Sequence, residues 1–361
     1  MDQKEFSKFV LHLLADYRVY SPQEENNQII IAKLVDSEKV ALDKRLPFYP
    51  WKNFFVPDCE TLFEYQGIML EKPPAVSNPQ NERRKKFLPP LAKGQTRKKI
   101  ALLGINILDL RAILLYDLVF ALDPYYQARQ QNALVIGHGF EAELPDGSIR
   151  KFSQDDLEHL RFDIFLAEQP KERKQLLVFA GSEKGRRVLD EFGYRGYQNI
   201  EFAGHKYSKE WEEKMNLWRD KLKNHHNQKI WDELGKICLE CGKCTIACPT
   251  CFCFRIDDTP SLDLRSREID GKRQRCWDSC YYQEFSEVAG GPARHASQGD
   301  AGGHKFLNTT ASKIHFWYFH KFGRIPDEYN MMGCVGCHRC HTVCPVDINI
   351  QKVMEEIENS Q

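Results

Sequence analysis

The chain has 361 residues, 42% of them hydrophobic and 28% charged, an ordinary balance for a soluble globular protein and one that excludes collagen-like, fibrous and wholly disordered chains. Fifty-one Lys plus Arg balance 51 Asp plus Glu, so no basic excess draws the chain to nucleic acid or to an anionic membrane surface. At roughly 150 residues per domain the length suggests two or three units.

The N-terminus, Met1 to Phe6, has neither the basic stretch nor the apolar run of a secretory leader, and the expected location is cytoplasmic. Residues 1–95 are read as an N-terminal α+β segment. It has a helical pattern at Phe6, Phe9, Val10, Leu13 and Leu14, a strand at Ile29-Ile30-Ile31 and an aromatic, proline-containing stretch from Phe48 to Phe63. Within it, 73–99 carries Pro73-Pro74, Pro89-Pro90 and two basic groups, Arg83 to Lys86 and Arg97 to Lys99, which predicts an exposed connection.

Residues 96–207 read as an α/β domain, with strands at Ile100–Leu103, Ala133–Ile136, Phe162–Leu166 and Leu176–Phe179 and helices over Ile107–Leu122 and Glu183–Phe192. The apolar run 101–122 is interrupted by Asp109, Arg111 and Asp117, which predicts a buried strand and an amphipathic helix and not a membrane span. Gly104, Gly137 and Gly181 follow strands, but no phosphate-cradling glycine motif accompanies them, so they read as turn residues. Residues 208–235 form a polar helical connector with a packing stripe at Trp211, Met215, Trp218 and Leu222, and with a solvent-facing His225-His226 pair. Residues 236–361 are cysteine-rich and end in a charged helix over Ile350–Ile357. The fold class is α+β: a central α/β domain followed by a helix-rich C-terminal dicluster ferredoxin-like domain.

Of 13 cysteines, 12 lie between positions 238 and 344, a clustering that reads as metal ligation. Cys238-x2-Cys241-x2-Cys244-x3-Cys248-Pro249 recurs as Cys334-x2-Cys337-x2-Cys340-x3-Cys344-Pro345. In such a run the first three thiolates wrap one [4Fe-4S] cubane while the fourth ligates the other. The expected ligands are Cys238, Cys241, Cys244 and Cys344 for the first cluster, and Cys334, Cys337, Cys340 and Cys248 for the second. Zinc needs only four thiolates per site and gives no reason for a repeated three-plus-one pattern followed by proline.

Gly242 and Gly336 allow the loops to bend round the clusters, and Pro249 and Pro345 fix the chain direction after the fourth ligand. Lys243, His338, Arg339 and His341 place charge beside the ligands, either to raise reduction potentials or as ordinary exposed loop residues. Cys251, Cys253, Cys276 and Cys280 lack cluster spacing and are read as packing near the ligands, with a third metal site as the alternative; Cys59 reads as structural with no visible partner. No recognisable catalytic motif is present, and the expected role is that of a non-catalytic electron-transfer subunit.

The block Cys238 to Cys253, Trp277-Asp278-Ser279-Cys280, Val288-Ala289-Gly290-Gly291 and Cys334 to Pro345 resembles the beta subunit of cytoplasmic sulfhydrogenases, the NAD(P)-linked nickel-iron hydrogenases. That family also includes the electron-transfer subunit of anaerobic sulfite reductase. Gly104 to Ile113, Asp123 to Arg129 and Gly181 to Gly185 are similar to the family's α/β domain. The resemblance implies two [4Fe-4S] clusters relaying electrons between a flavin- and NAD(P)-binding subunit and the hydrogenase small and large subunits. The alternatives are a sulfite reductase catalytic subunit as terminal partner, or an iron-sulfur redox-sensing or structural adaptor. Leu108 and Gly137-His138-Gly139-Phe140 stand where relatives carry cysteines, so any extra cluster held there in relatives is expected to be missing.

Overall fold

The computed structural model of the chain describes residues 1–69, 99–169, 172–207, 209–224, 229–260, 268–288 and 304–359. Most of the expected connection over 73–99, the His225-His226 pair and Ala289-Gly290-Gly291 lie outside them. The fold is α+β and divides into two compact units, one of Met1–Phe55, Lys98–Cys251 and Ser279–Gln361, the other of Val56–Arg97 and Phe252–Asp278.

The larger unit is built on a seven-stranded sheet whose strands, in chain order, are Tyr17–Glu25 (β1), Gln28–Lys33 (β2), Lys99–Ile105 (β3), Ala133–His138 (β4), Ile164–Gln169 (β5), Glu172–Ala180 (β6) and Gln198–Asn199 (β7). Their order across the sheet is β7-β6-β5-β4-β3-β1-β2. β1, β3, β4 and β5 run parallel, while β2 and β6 return antiparallel beside β1 and β5. Buried on both faces, β4 is an unbroken apolar run capped by His138, as a central parallel strand requires. The N-terminal strands thus belong to the same sheet as the α/β region, with Tyr17 opposite Lys99.

Two helices, Gln3–Asp16 (α1) and Glu183–Phe192 (α4), share a core with the sheet; Phe9 and Phe192 meet edge to face at 5.3 Å. The start of α4 is fixed by Ser182, whose Oγ accepts from the Gly185 N–H and donates to Asp163 at 2.6 Å. A Cβ on Gly185 would lie 1.8 Å from the Asp163 carbonyl oxygen. The Gly181–Gly185 segment is therefore a helix-to-strand packing device.

Ile107–Val119 (α2) departs from the amphipathic expectation. Leu108, Leu110, Ile113, Leu114 and Leu115 are all buried, because the helix meets β4 as well as the C-terminal helix Ile325–Tyr329 (α8) and the short turn Trp51–Phe54. Pro124–Asn132 (α3) follows, capped by Asp123 and opened by Pro124.

The remaining helices, Lys209–Asn224 (α5), Lys229–Ile237 (α6), Thr310–Phe319 (α7) and Ile350–Asn359 (α9), enclose a second core. Met215, Trp218 and Leu222 bury one stripe of α5 beside Trp231, Trp317, Tyr318 and Phe322, while Trp211 is 40% exposed. Cys238, Cys244, Cys334 and Cys340 border this same core.

The smaller unit is a three-stranded antiparallel sheet with Glu268–Trp277 between Phe254–Pro260 and Cys59–Met69. Cys276 lies directly opposite Cys59, and the two form a disulfide. This corrects the reading of Cys59 as partnerless and of Cys276 as cluster packing. One residue along, Arg275 Nε donates to Glu60 at 2.8 Å.

Candidate metal centre

The two cysteine loops repeat one backbone conformation. The third residue of each motif, Glu240 and Gly336, is left-handed at φ 52° and 66°, and so is the fifth, Gly242 and His338, at φ 68° and 59°. The glycines therefore occupy different steps of the repeat, and glutamate and histidine adopt the costlier conformation in their place. Each double bend aims amides inward: Glu240 N–H donates to Cys238 Sγ at 3.5 Å and Gly336 N–H to Cys334 Sγ at 3.4 Å. Ile348 N–H reaches Cys344 Sγ at 3.3 Å. A short helix then carries the third ligand of each motif, Lys243–Ala247 for Cys244 and Arg339–Thr342 for Cys340.

Cys344 comes to the first triplet despite its distance in sequence. Cys238, Cys241, Cys244 and Cys344 line one cavity of about 40 Å³, walled by Tyr281, Ile314, Trp317 and Tyr318, with Cys340 also at its edge. Cys344 thus lines one cavity with the first triplet, as the spacing led one to expect. Cys248 interacts electrostatically with Cys334, Cys337 and Cys340 and also with Cys244 of the first triplet.

Burial penalises several of these thiolates. It pushes Cys244 up to about 12 and Cys337 up to about 11, and it raises Cys238, Cys334 and Cys340. Thiols so placed release their protons when a metal supplies the compensating charge. Amides directed at sulfur, an apolar wall and soft donors fit an iron-sulfur cluster.

Cys248 behaves differently. The Cys251 thiol beside it, then Lys321 and Thr250, hold it well below the ordinary thiol value against the effect of burial. Lys321 Nζ lies 3.2 Å from Cys248 Sγ, and Thr250 Oγ1 lies 3.1 Å from it. Lys321 was invisible to motif reading, since a lone lysine within the aromatic run Phe316–Phe322 resembles the polar edge of a helix.

The charged residues read beside the ligands have specific partners. Arg339 is buried, paired with both oxygens of Asp109 at 2.7 and 2.9 Å, and its Nε donates to the Pro47 carbonyl at 2.9 Å. His338 Nδ1 is 2.9 Å from Asp146, and His341 Nε2 is 2.6 Å from Asp347. The exposed-loop alternative therefore fails for Arg339. Cys280 is buried in the core of the second helical group.

Comparison with known families places a 4Fe-4S dicluster domain model on residues 237–348. This stretch is a 4Fe-4S dicluster domain. The dicluster domain contains all eight cysteines of the two motifs, and the chain that carries it is an iron-sulfur protein of the electron-transfer kind. Among curated proteins, sulfhydrogenase 2 subunit beta of Pyrococcus furiosus is 28% identical over 365 residues, covering 98% of this chain and 96% of the relative. The similarity thus runs through the sheet as well as the dicluster domain. No solved structure matches the chain. Among the described residues, no helix is long and apolar enough to cross a membrane.

Proposed function

We propose that the chain is a cytoplasmic electron-transfer subunit that holds two [4Fe-4S] clusters and relays electrons between a flavin- and NAD(P)-binding subunit and a catalytic hydrogenase module. The observation that carries the reading is Cys344 lining one cavity with Cys238, Cys241 and Cys244, which supports an exchange of fourth cysteines with Cys248 serving the second triplet. Shared in this way, the two ligand sets hold their clusters close together on one rigid scaffold. Such clusters supply reversible one-electron chemistry.

The chain's own residues do the rest. Cys238, Cys241, Cys244 and Cys344 would hold one cluster, and Cys334, Cys337, Cys340 and Cys248 the other. The amides of Glu240, Gly336 and Ile348 stabilise negative charge on sulfur. Trp317, Tyr318 and Ile314 keep water from the first ligand set, while Cys241 is exposed and offers that set an approach from solvent. The full-length similarity to a hydrogenase subunit supports the choice of terminal partner.

Anaerobic affinity purification through a tag on this chain tests the partner assignment. Co-eluting nickel and flavin, together with hydrogen-dependent reduction of the clusters followed by electron paramagnetic resonance, are the expected results. Siroheme with sulfite-dependent oxidation would transfer the role to a sulfite reductase. A loaded chain that exchanges electrons with no flavin or metal partner would make it a sensor or adaptor.

A further inference from the structure

Lys321 is 2% exposed and sits on a π-helical turn, His320–Arg324, between α7 and α8. Such a widened turn is uncommon and often marks a functional position. Its Nζ has three acceptors: Cys248 Sγ at 3.2 Å, Thr250 Oγ1 at 2.9 Å and the Gly333 carbonyl at 2.9 Å. An ammonium has three N–H groups, so its donors are fully used. The neighbouring chain is fitted to this arrangement. Gly333 N–H donates to the Lys321 carbonyl at 2.8 Å, and a Cβ on Gly333 would lie 2.8 Å from the Lys321 Cα. Cys334 follows immediately.

A buried cation is costly unless an anion compensates it. Other buried cations lie near the thiols: Arg339 has Asp109, Lys313 has Glu240 at 2.6 Å, and Lys52 donates to the Thr245 carbonyl at 3.1 Å. Lys321 pairs with no carboxylate among the described residues, and the anionic group within reach is the sulfur of Cys248. The ligand sulfur that Lys321 reaches is Cys248, assigned to the second set, whereas Lys313 and Lys52 near the first set donate to Glu240 and to the Tyr281 and Thr245 carbonyls.

We infer that Lys321 is a positioning residue that sets the order of the two reduction potentials, raising that of the cluster held by Cys334, Cys337, Cys340 and Cys248 above that of its neighbour. An arriving electron makes a cluster more negative, and a fixed ammonium at hydrogen-bond distance from a ligand sulfur stabilises that state over the oxidised one. The second cluster is then where an electron rests, and transfer within the chain runs downhill from the first set to the second. This inference rests on the two-cluster reading proposed above.

The test is an anaerobic potentiometric titration of the full chain, followed by electron paramagnetic resonance, for wild type, Lys321→Met and Lys321→Arg, with iron measured in each. Lys321→Met should disfavour reduction of one cluster at least tenfold, which is 59 mV or more for a one-electron couple, and leave the other unmoved. The shifted signal should be the one lost in Cys334→Ala. Lys321→Arg, which retains the charge, should restore most of the difference. Should the methionine variant not fold, Lys321→Gln removes the charge while keeping N–H donors and must give the same shift. Unchanged potentials in a fully loaded neutral variant, or a shift in the cluster that survives Cys334→Ala, overturn the inference. Absence of iron from the wild type would instead refute the two-cluster reading.

Discussion

Arg339 and Asp109, 230 residues apart in sequence, form a two-pronged ion pair whose side chains are only 2% and 1% exposed. Asp109 stands on the first turn of α2, where Asn106 caps the helix and donates its Nδ2–H to Asp109 at 2.7 Å. Arg339 lies next to Cys340. One carboxylate thus anchors the second cysteine loop to the sheet-bearing part of the unit, and it lies beside Leu108, where the family resemblance sets a cysteine.

Replacing Asp109 by Asn should therefore do more than remove a surface charge. It leaves Arg339 buried and uncompensated, a change that costs about 3–5 kcal/mol. Thermal melting of the anaerobic protein should show this loss, and Asp109→Leu combined with Arg339→Met should recover much of it. A loss below about 1 kcal/mol in the Asn variant would contradict an anchoring role.

His138 predicts a pH dependence. It ends β4, its Nε2 has no hydrogen-bond partner among the described residues, and burial lowers its pKa from 6.5 to about 4. Between those values the unfolded chain binds a proton that the folded chain refuses. The stability associated with neutral His138 is thus complete above pH 6.5 and declines as pH falls toward 4, by at most about 1.4 kcal/mol per unit. His138→Met should lose roughly 1 kcal/mol less than wild type between pH 7.5 and 5.5. Identical losses would remove His138 from the account.

In the smaller unit, alkylation of the unfolded chain should find Cys59 and Cys276 protected until a reductant is added, because they form the disulfide across adjacent strands. Cys59→Ala with Cys276→Ala should lower stability by about 2–4 kcal/mol. Labelling of both thiols without reductant would contradict the pairing.

What could be read in advance follows how local each signal is. The cysteine spacing is a local pattern and picks out eight thiols that all fall inside the matched 237–348 stretch; α4, β3 and β4 are likewise announced by short apolar or periodic runs. The joining of β1 to β3, Tyr17 opposite Lys99, has no such signature, since a parallel pairing leaves no turn sequence between its strands. The burial of α2 on several sides depends on α8, more than 200 residues later. Cys59 gave no hint of Cys276, 217 positions away. Lys321 and Asp109 were hidden for the same reason: a buried charge looks like a surface charge until folding brings its partner.

Iron content of paired alanine variants tests the crossed ligation most directly. Cys238→Ala with Cys344→Ala removes two ligands of one cluster and should leave about four irons per chain, whereas Cys238→Ala with Cys248→Ala strikes both clusters and should leave almost none. The reverse outcome, about four irons in the second pair and almost none in the first, would mean that each motif serves its own cluster and would contradict the account.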